Sequence, residues 1–329
     1  MRQKRVLAGA VSLTAALSLA VAPQAAAADC VYNRVDLPLP AGTTNAEVEG
    51  SSTNNSRIVG SYWAESRSRA ALWVNSTLRV LPQATEPFRD VFPEGVNNTS
   101  VVVGRQEWRS SPNTGSQAFR YENNTYTFLE TAADENSRAS HVNDNGDVLG
   151  EAWKKSNPNE RTVVLWPRGG ARKSFGVGYP MGISAQRKLA VSYDRDAWIV
   201  DGDTGARTQV PGGSQPMVID NERLLGYEFL GVSIPGVVSE WDLNGVKVNE
   251  YRGGLQAYGK NNSGTVFGTI RPEVGGGPTL WRTNSRMPVL ADRLPTSFYG
   301  DVTDAATLIS SYRNDVGETR PARWLWVCS

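Results

Sequence analysis

The sequence predicts an all-β fold: a seven-bladed β-propeller of four-stranded blades, with the last blade completed by the N-terminal strand. Three observations predict it. A motif of polar turn, apolar β-branched run, small residue and then usually an aromatic recurs seven times. Its small residues, Gly60, Gly104, Gly150, Ala190, Gly226, Gly268 and Ser310, stand 44, 46, 40, 36, 42 and 42 positions apart. A second motif follows each copy, two short strand-like segments around a turn rich in Asn, Gly or Asp. Four short strands per unit of roughly 42 residues, with no helical periodicity, is the pattern of a propeller.

The elements follow in chain order. Residues 1–28, "MRQKRVLAGAVSLTAALSLAVAPQAAAA", combine Arg2, Lys4 and Arg5 with an apolar stretch and an A-x-A site. That is the composition of a secretory signal peptide, too short and too rich in small residues for a membrane anchor. The remaining chain, 29–329, is expected to be secreted to the extracellular space as one propeller domain. It opens with "CVYNRVDLPLP" (30–40), which has the form of the outer strand of a blade.

Blade one runs from "NNSRIVGSYW" (54–63) through "RAALWVNSTLRVLP" (69–82), and blade two from "VNNTSVVVGRQEW" (96–108) through "QAFRYENNTYTFLE" (117–130). Blade three pairs "SHVNDNGDVLG" (140–150) with "TVVLWPRGGARKSF" (162–175), and blade four "ISAQRKLAVSY" (183–193) with "DAWIVDGDTGARTQVP" (196–211). Blade five pairs "IDNERLLGYEF" (219–229) with "VSEWDLNGVKVNEY" (238–251), and blade six "KNNSGTVFGTI" (260–270) with "PTLWRTNSRMPVLA" (278–291). Blade seven has "VTDAATLISSY" (302–312) but stops at "PARWLWVCS" (321–329), without the second strand of its hairpin. The N-terminal segment supplies that strand. Cys30 and Cys328, the only cysteines, then fall on neighbouring strands and are expected to form a disulfide, as paired thiols do in an exported protein.

Charge excludes some partners. The signal carries three of the 34 basic residues and none of the 33 acids, so 31 − 33 leaves the rest of the chain near −2. Nothing in that balance favours nucleic acid or an anionic membrane, and no later stretch is apolar enough to insert in a bilayer.

"SHVNDNGDVLG" and "QAFRYENNTY" resemble the repeats of extracellular HAF-repeat proteins, whose units read A-x-x-I-N-D-x-G-x-V-V-G followed by H-A-F-L-W-x-x-G. Gln117, Ala118 and Phe119 stand at the His-Ala-Phe positions, and blade one has Arg69, Ala70, Ala71, Leu72 and Trp73 there. Blades four and seven depart, with Ala190 and Ser310 in place of the glycine. The resemblance implies a secreted bacterial repeat protein and no defined reaction.

Several constellations invite chemistry. Asp144, Asn145 and Asp147 lack the alternating spacing and final glutamate of an EF-hand, and other blades carry Asn54 or Asn261 in that slot, so they read as a turn. "DGDTG" (201–205), with Asp194 and Asp196 nearby, falls at a hairpin turn. The Asn-x-Ser/Thr triplets at Asn54, Asn75, Asn97, Asn98, Asn123 and Asn261 coincide with turns as well. His141 is the single histidine, which rules out a zinc site built on two or three, and no G-x-S-x-G elbow accompanies it. Paired-carboxylate glycan chemistry stays open, with 33 acids to choose from. No metal, cofactor or catalytic residue is assigned.

A binding role is favoured over an enzyme. Three or four residues past the small residue stand Trp63, Trp108, Trp153, Tyr193 and Phe229, at the end of each blade's second strand. That strand leads into loops of varied length, where binding is commonly built. Trp63, Trp108, Trp153 and Tyr193, with Arg105, Arg109, Lys154 and Lys155, form the expected site for an extracellular glycan or protein. Packing of these rings between blades is the competing reading. A subunit of a larger secreted assembly is a third role; otherwise the chain is expected to be a monomer.

Overall fold

In the computed structural model the chain forms 28 antiparallel strands, β1–β28, in seven sheets of four. The structure describes residues 30–328, except 44, 53, 55, 85, 111–112, 221, 229–235, 252, 262, 271–276, 283–284, 289–299 and 303–306. The proposed signal segment lies outside the described residues, and none of the described residues forms a helix long and apolar enough to cross a membrane. The seven innermost strands are β2 (Ala46–Ser51), β6 (Asp90–Val96), β10 (Glu135–Val142), β14 (Tyr179–Ile183), β18 (Gly213–Ile219), β22 (Gly254–Lys260) and β26 (Gly300–Val302). Six sheets follow chain order outward. The seventh runs β1–β28–β27–β26, with β1 (Cys30–Asp36) as the outermost strand against β28 (Thr319–Cys328).

The ring is therefore closed by pairing the first strand with the last. Cys30 is the direct register partner of Cys328. Directly opposed residues in an antiparallel pair have Cα atoms about 4.5–5.5 Å apart, inside the range a disulfide spans. The two cysteine side chains lie outside the described residues.

Between adjacent blades sits one apolar cluster each, seven in all, which is how a blade hides both its faces. Alternation along each strand sends successive side chains to opposite neighbours. Thus Val59 packs toward blade two with Leu72, Val102 and Phe119, while Ile58 and Tyr62 pack with Trp73 and Ile309 of blade seven. Trp73, Trp241, Trp281 and Trp324 are the largest fully buried side chains.

The repeated small residue has a steric cause. Each of the first six innermost strands carries an extra, bulged residue: Glu49, Glu94, Ser140, Met181, Met217 and Tyr258. The bulge pushes the backbone toward the second strand. A Cβ on Gly60, Gly104, Gly150 or Gly268 would come within 2.0–2.1 Å of an innermost-strand carbonyl oxygen. In blades four and seven the glycine changes sides: Ala190 pairs with Gly182, and Ser310 with Gly300.

The turns between first and second strands settle the acidic motif of blade three. Asn143 Oδ1 accepts the Asp147 N–H at 2.9 Å, and its Nδ2 donates to the Ser184 carbonyl of the next blade at 2.9 Å. Asn97 Oδ1 and Asn261 Oδ1 accept the equivalent N–H groups of Val101 and Thr265. Asp147 is buried and bonded by Arg187 Nε at 2.9 Å and the Arg168 N–H at 2.9 Å. Burial raises its pKa, and these bonds more than offset that, leaving the carboxyl below its ordinary value. Asp201 likewise accepts the N–H groups of Asp203 and Thr204 within its own turn. Among the described residues no group of three His, Cys, Asp or Glu could hold a metal ion.

Candidate functional site

The antiparallel ladder puts the turns between second and third strands on the same face as the blade-to-blade connections. Trp63, at the end of β3 (Arg57–Ala64), stands on that face and is 41% exposed. Trp108, in β7 (Val102–Ser110), is half-buried, with its ring edge-on to Phe88 at 5.0 Å between centroids. Trp153, in β11 (Val148–Lys154), is half-buried under the Arg161 guanidinium, 4.4 Å from its centroid. Tyr193 is buried; its hydroxyl donates to the Phe175 carbonyl at 2.8 Å, and Arg207 covers the ring.

The four rings do not share one position. Trp108 lies four residues past its glycine, whereas Trp63, Trp153 and Tyr193 lie three past the small residue. One residue in a strand reverses the face, so Trp108 turns toward the preceding blade while Trp63 and Trp153 turn toward the next. In blade four the bulge is shifted by one residue, and Tyr193 packs on blade three.

Of the cations expected beside them, Lys155 crosses from blade three to place Nζ 5.8 Å from the Trp108 ring centroid. Lys154 is exposed and 3.9 Å from Asp134. The Arg109 side chain lies outside the described residues. Arg105 turns away from this rim toward the axis of the ring, where Glu107 accepts from its Nε at 2.6 Å and Glu94 accepts from NH1.

The arrangement around Arg105 belongs to the central bore, which sequence reasoning did not assign. The bore holds a cavity of about 560 Å³ lined by residues of the innermost strands. Its wall in blades one to three is charged. Arg138 Nε donates to Glu94 Oε2 at 2.5 Å and its NH1 lies 3.8 Å from Glu151, which also accepts from Arg161. Glu94 and Glu151 are nearly closed to solvent, so this network spends guanidinium donors on buried carboxylates.

Glu49 differs. Among the described residues its polar contact is the Ser61 hydroxyl, which donates at 2.9 Å, with no guanidinium or ammonium in salt-bridge range. Burial pushes its pKa up to about 7; the Ser61 bond opposes this, and the charges of Glu47 and Glu94 add to it. His141 faces the same cavity. Burial pushes it down to about 4, against a hydrogen bond with the Pro180 backbone, so it is neutral at pH 7.

Across the bore the wall of blades four to six is largely apolar. Met181, Ile183, Met217, Ile219 and Tyr258 line it, and Tyr179, 61% exposed, stands at the start of β14 beside the mouth. Lys260 lies at the far end of this wall but is committed, donating to Asp220 at 2.9 Å and Glu240 at 2.8 Å.

The bulged residues that build both walls precede the small residue by nine to eleven positions. Glutamates within otherwise strand-like stretches were the available signal. A bulge inserts one residue without a fixed sequence mark, so facing could not be assigned.

No protein-family model matches the chain, and no curated protein matches its sequence. Solved structures do resemble it. An oligogalacturonate lyase in complex with manganese is 10% identical, with 89% of this chain and 93% of that one covered at a TM-score of 0.64. The β-propeller domain of the Trilobed protease from Pyrococcus furiosus is 13% identical, covering 87% and 96% at 0.59. An oligogalacturonate lyase from Vibrio parahaemolyticus is 10% identical, covering 91% and 98% at 0.57. At such identities the likeness shows the propeller fold and carries no activity. The Pyrococcus domain is described as having an open velcro topology, whereas here β1 joins the last blade.

Proposed function

We propose that this chain is a secreted, non-catalytic binding module of HAF-repeat type that receives its ligand in the central bore. The observation that supports it is the bore's division into a charged wall and an apolar one around a cavity of about 560 Å³. Pockets of this size, mostly apolar with a few convergent polar groups, suit a small ligand or the end of a glycan or protein chain. Two of the three bore carboxyls, Glu94 and Glu151, are held by arginines, which suits them to fixing the wall rather than moving protons.

The rim supports a subsidiary contact. Trp63 offers one exposed ring on the same face, while Trp108, Trp153 and Tyr193 are covered by their own surroundings.

A screen of oligosaccharides, peptides and small metabolites by thermal shift tests the reading. Hits should lose binding in Ser140→Tyr, which fills the bore from its bulge, and keep most of it in Trp63→Ala. Binding that survives the filled bore overturns the proposal. The second reading, a glycan hydrolase or lyase, is favoured by Glu49, a carboxyl poised to hold a proton near neutral pH. Chemical change of any bound oligosaccharide, seen by mass spectrometry and abolished by Glu49→Gln, would replace the binding reading with that one.

A further inference from the structure

Resting on the bore as the ligand site, the geometry points to the class of ligand: we propose a small amphipathic organic cation, its ammonium on Glu49 and its apolar body against Met181, Met217 and Tyr258.

The charge balance of the bore argues for a cation. Among the described residues, Glu49, Glu94 and Glu151 line the charged wall with Arg138, and Glu47, Glu107, Arg105 and Arg161 stand beside them, five carboxyls to three guanidiniums. Each guanidinium is engaged: Arg105 with Glu94 and Glu107, Arg138 with Glu94 and Glu151, Arg161 with Glu151. Among the described residues Glu49 is the bore carboxyl whose hydrogen-bond donor is a hydroxyl, that of Ser61. An anionic ligand would meet this excess of carboxyls. A neutral one would leave Glu49 to be desolvated without compensation.

The apolar wall argues for the ligand's other end. Met181, Met217 and Tyr258, the bulged residues of their strands, line the bore and pack at its edge on the apolar clusters between blades. Unbranched thioethers adapt to varied apolar shapes, and a tyrosine ring offers a flat apolar surface beside them. Tyr179 and Leu255, 61% and 45% exposed, lie at the starts of β14 and β22 on the side where such a body would pass.

Binding of a cation requires the ionised form of Glu49. The groups that face this carboxyl are Glu47 on its own strand, Ser61 on β3, Glu94 on β6 and Arg105 on β7. Burial, opposed by Ser61 and Arg105 and reinforced by Glu47 and Glu94, lifts its pKa to about 7, so it is largely protonated at pH 6 and largely ionised at pH 8. Affinity for a cation should therefore rise by about tenfold over that interval, following the ionised fraction.

Three probes of one shape test this by calorimetry: 2-phenylethylamine, which stays protonated throughout, 2-phenylethanol and phenylacetate. At pH 8 the amine should bind the wild type at least about tenfold more tightly than either counterpart. The advantage should shrink at pH 6 and vanish in Glu49→Gln, whose fold is checked by circular dichroism and whose affinity for the alcohol should be unchanged. Ser140→Tyr should abolish amine binding, and Trp63→Ala should not.

Equal binding of the three probes, an amine preference that survives Glu49→Gln, or no binding of any probe overturns the cation. Binding of the alcohol or the acid as tight as that of the amine, and removed by Ser140→Tyr, would sink the cation while leaving the bore as the site. Amine binding that Ser140→Tyr leaves intact would sink both.

Discussion

At the rim of the propeller, Lys154 stands exposed 3.9 Å from an equally exposed Asp134, and Trp63 shows its ring to solvent. Further in along the second strand of blade three, Glu151 is almost fully buried and takes up two arginines, and Glu94, on the innermost strand of the neighbouring blade, does the same. Both regions are built from one repeated four-strand unit. The difference lies in water. Ion pairs at the rim are screened and contribute little, whereas each carboxylate in the bore has given up hydration and depends on its partners. The rim can drift in sequence; the bore is held by mutual satisfaction, and its one exception, Glu49, is where a ligand would matter.

That contrast can be broken most forcefully at Glu151. Glu151→Ala strands Arg161 and one end of Arg138, and should destabilise the protein by about 3–4 kcal/mol in urea denaturation. A loss below about 1 kcal/mol would mean the bore network is as slack as the rim.

The closure of the ring is next. If Cys30 and Cys328 are bonded, reduction or Cys30→Ser should cost about 2–4 kcal/mol and lower Tm while the circular dichroism spectrum persists. Titration of two free thiols in the native protein would remove the disulfide and leave β1 held by its strand pairing alone.

Glu49 sharpens the comparison through pH. Its folded pKa, about 7, lies above its ordinary 4.5, so between these values the native state holds a proton that the unfolded chain has released. Stability should fall as pH rises through that window, by up to roughly 3 kcal/mol once both states are ionised. Glu49→Gln should remove this loss and appear stabilising at pH 8 but nearly neutral at pH 4. His141 runs the other way: with a folded pKa of about 4 against an ordinary 6.5, its contribution is lost as pH falls from about 6.5 to 4. Denaturation curves from pH 4 to 8 for wild type and Glu49→Gln separate the two, and parallel curves would contradict the Glu49 assignment.

The smallest effect belongs to the rim. Lys154→Ala should shift stability by no more than about 0.5 kcal/mol, within the range of exposed pairs. A larger loss would show that the rim, too, is organised.

The blade count, the order of strands and the closure by β1 were legible in the sequence, because a propeller repeats its turn chemistry and its small residue at every blade. Each copy must clear the same bulge, as Gly60, Gly104 and Gly150 do, so steric need writes itself into the sequence at regular spacing. The reading of Asp144 and Asp147 as turn residues followed from the same repetition.

Which side chains meet was decided only in three dimensions. The aromatics at the strand ends looked equivalent, yet one added residue turned Trp108 to the other face and left Trp63 alone exposed among the four. Glu49, Glu94 and Arg138 come from three blades and share a bore only because the ring closes. Spacing along one chain records local geometry, whereas the balance of charge and burial around an axis is a property of all the blades together.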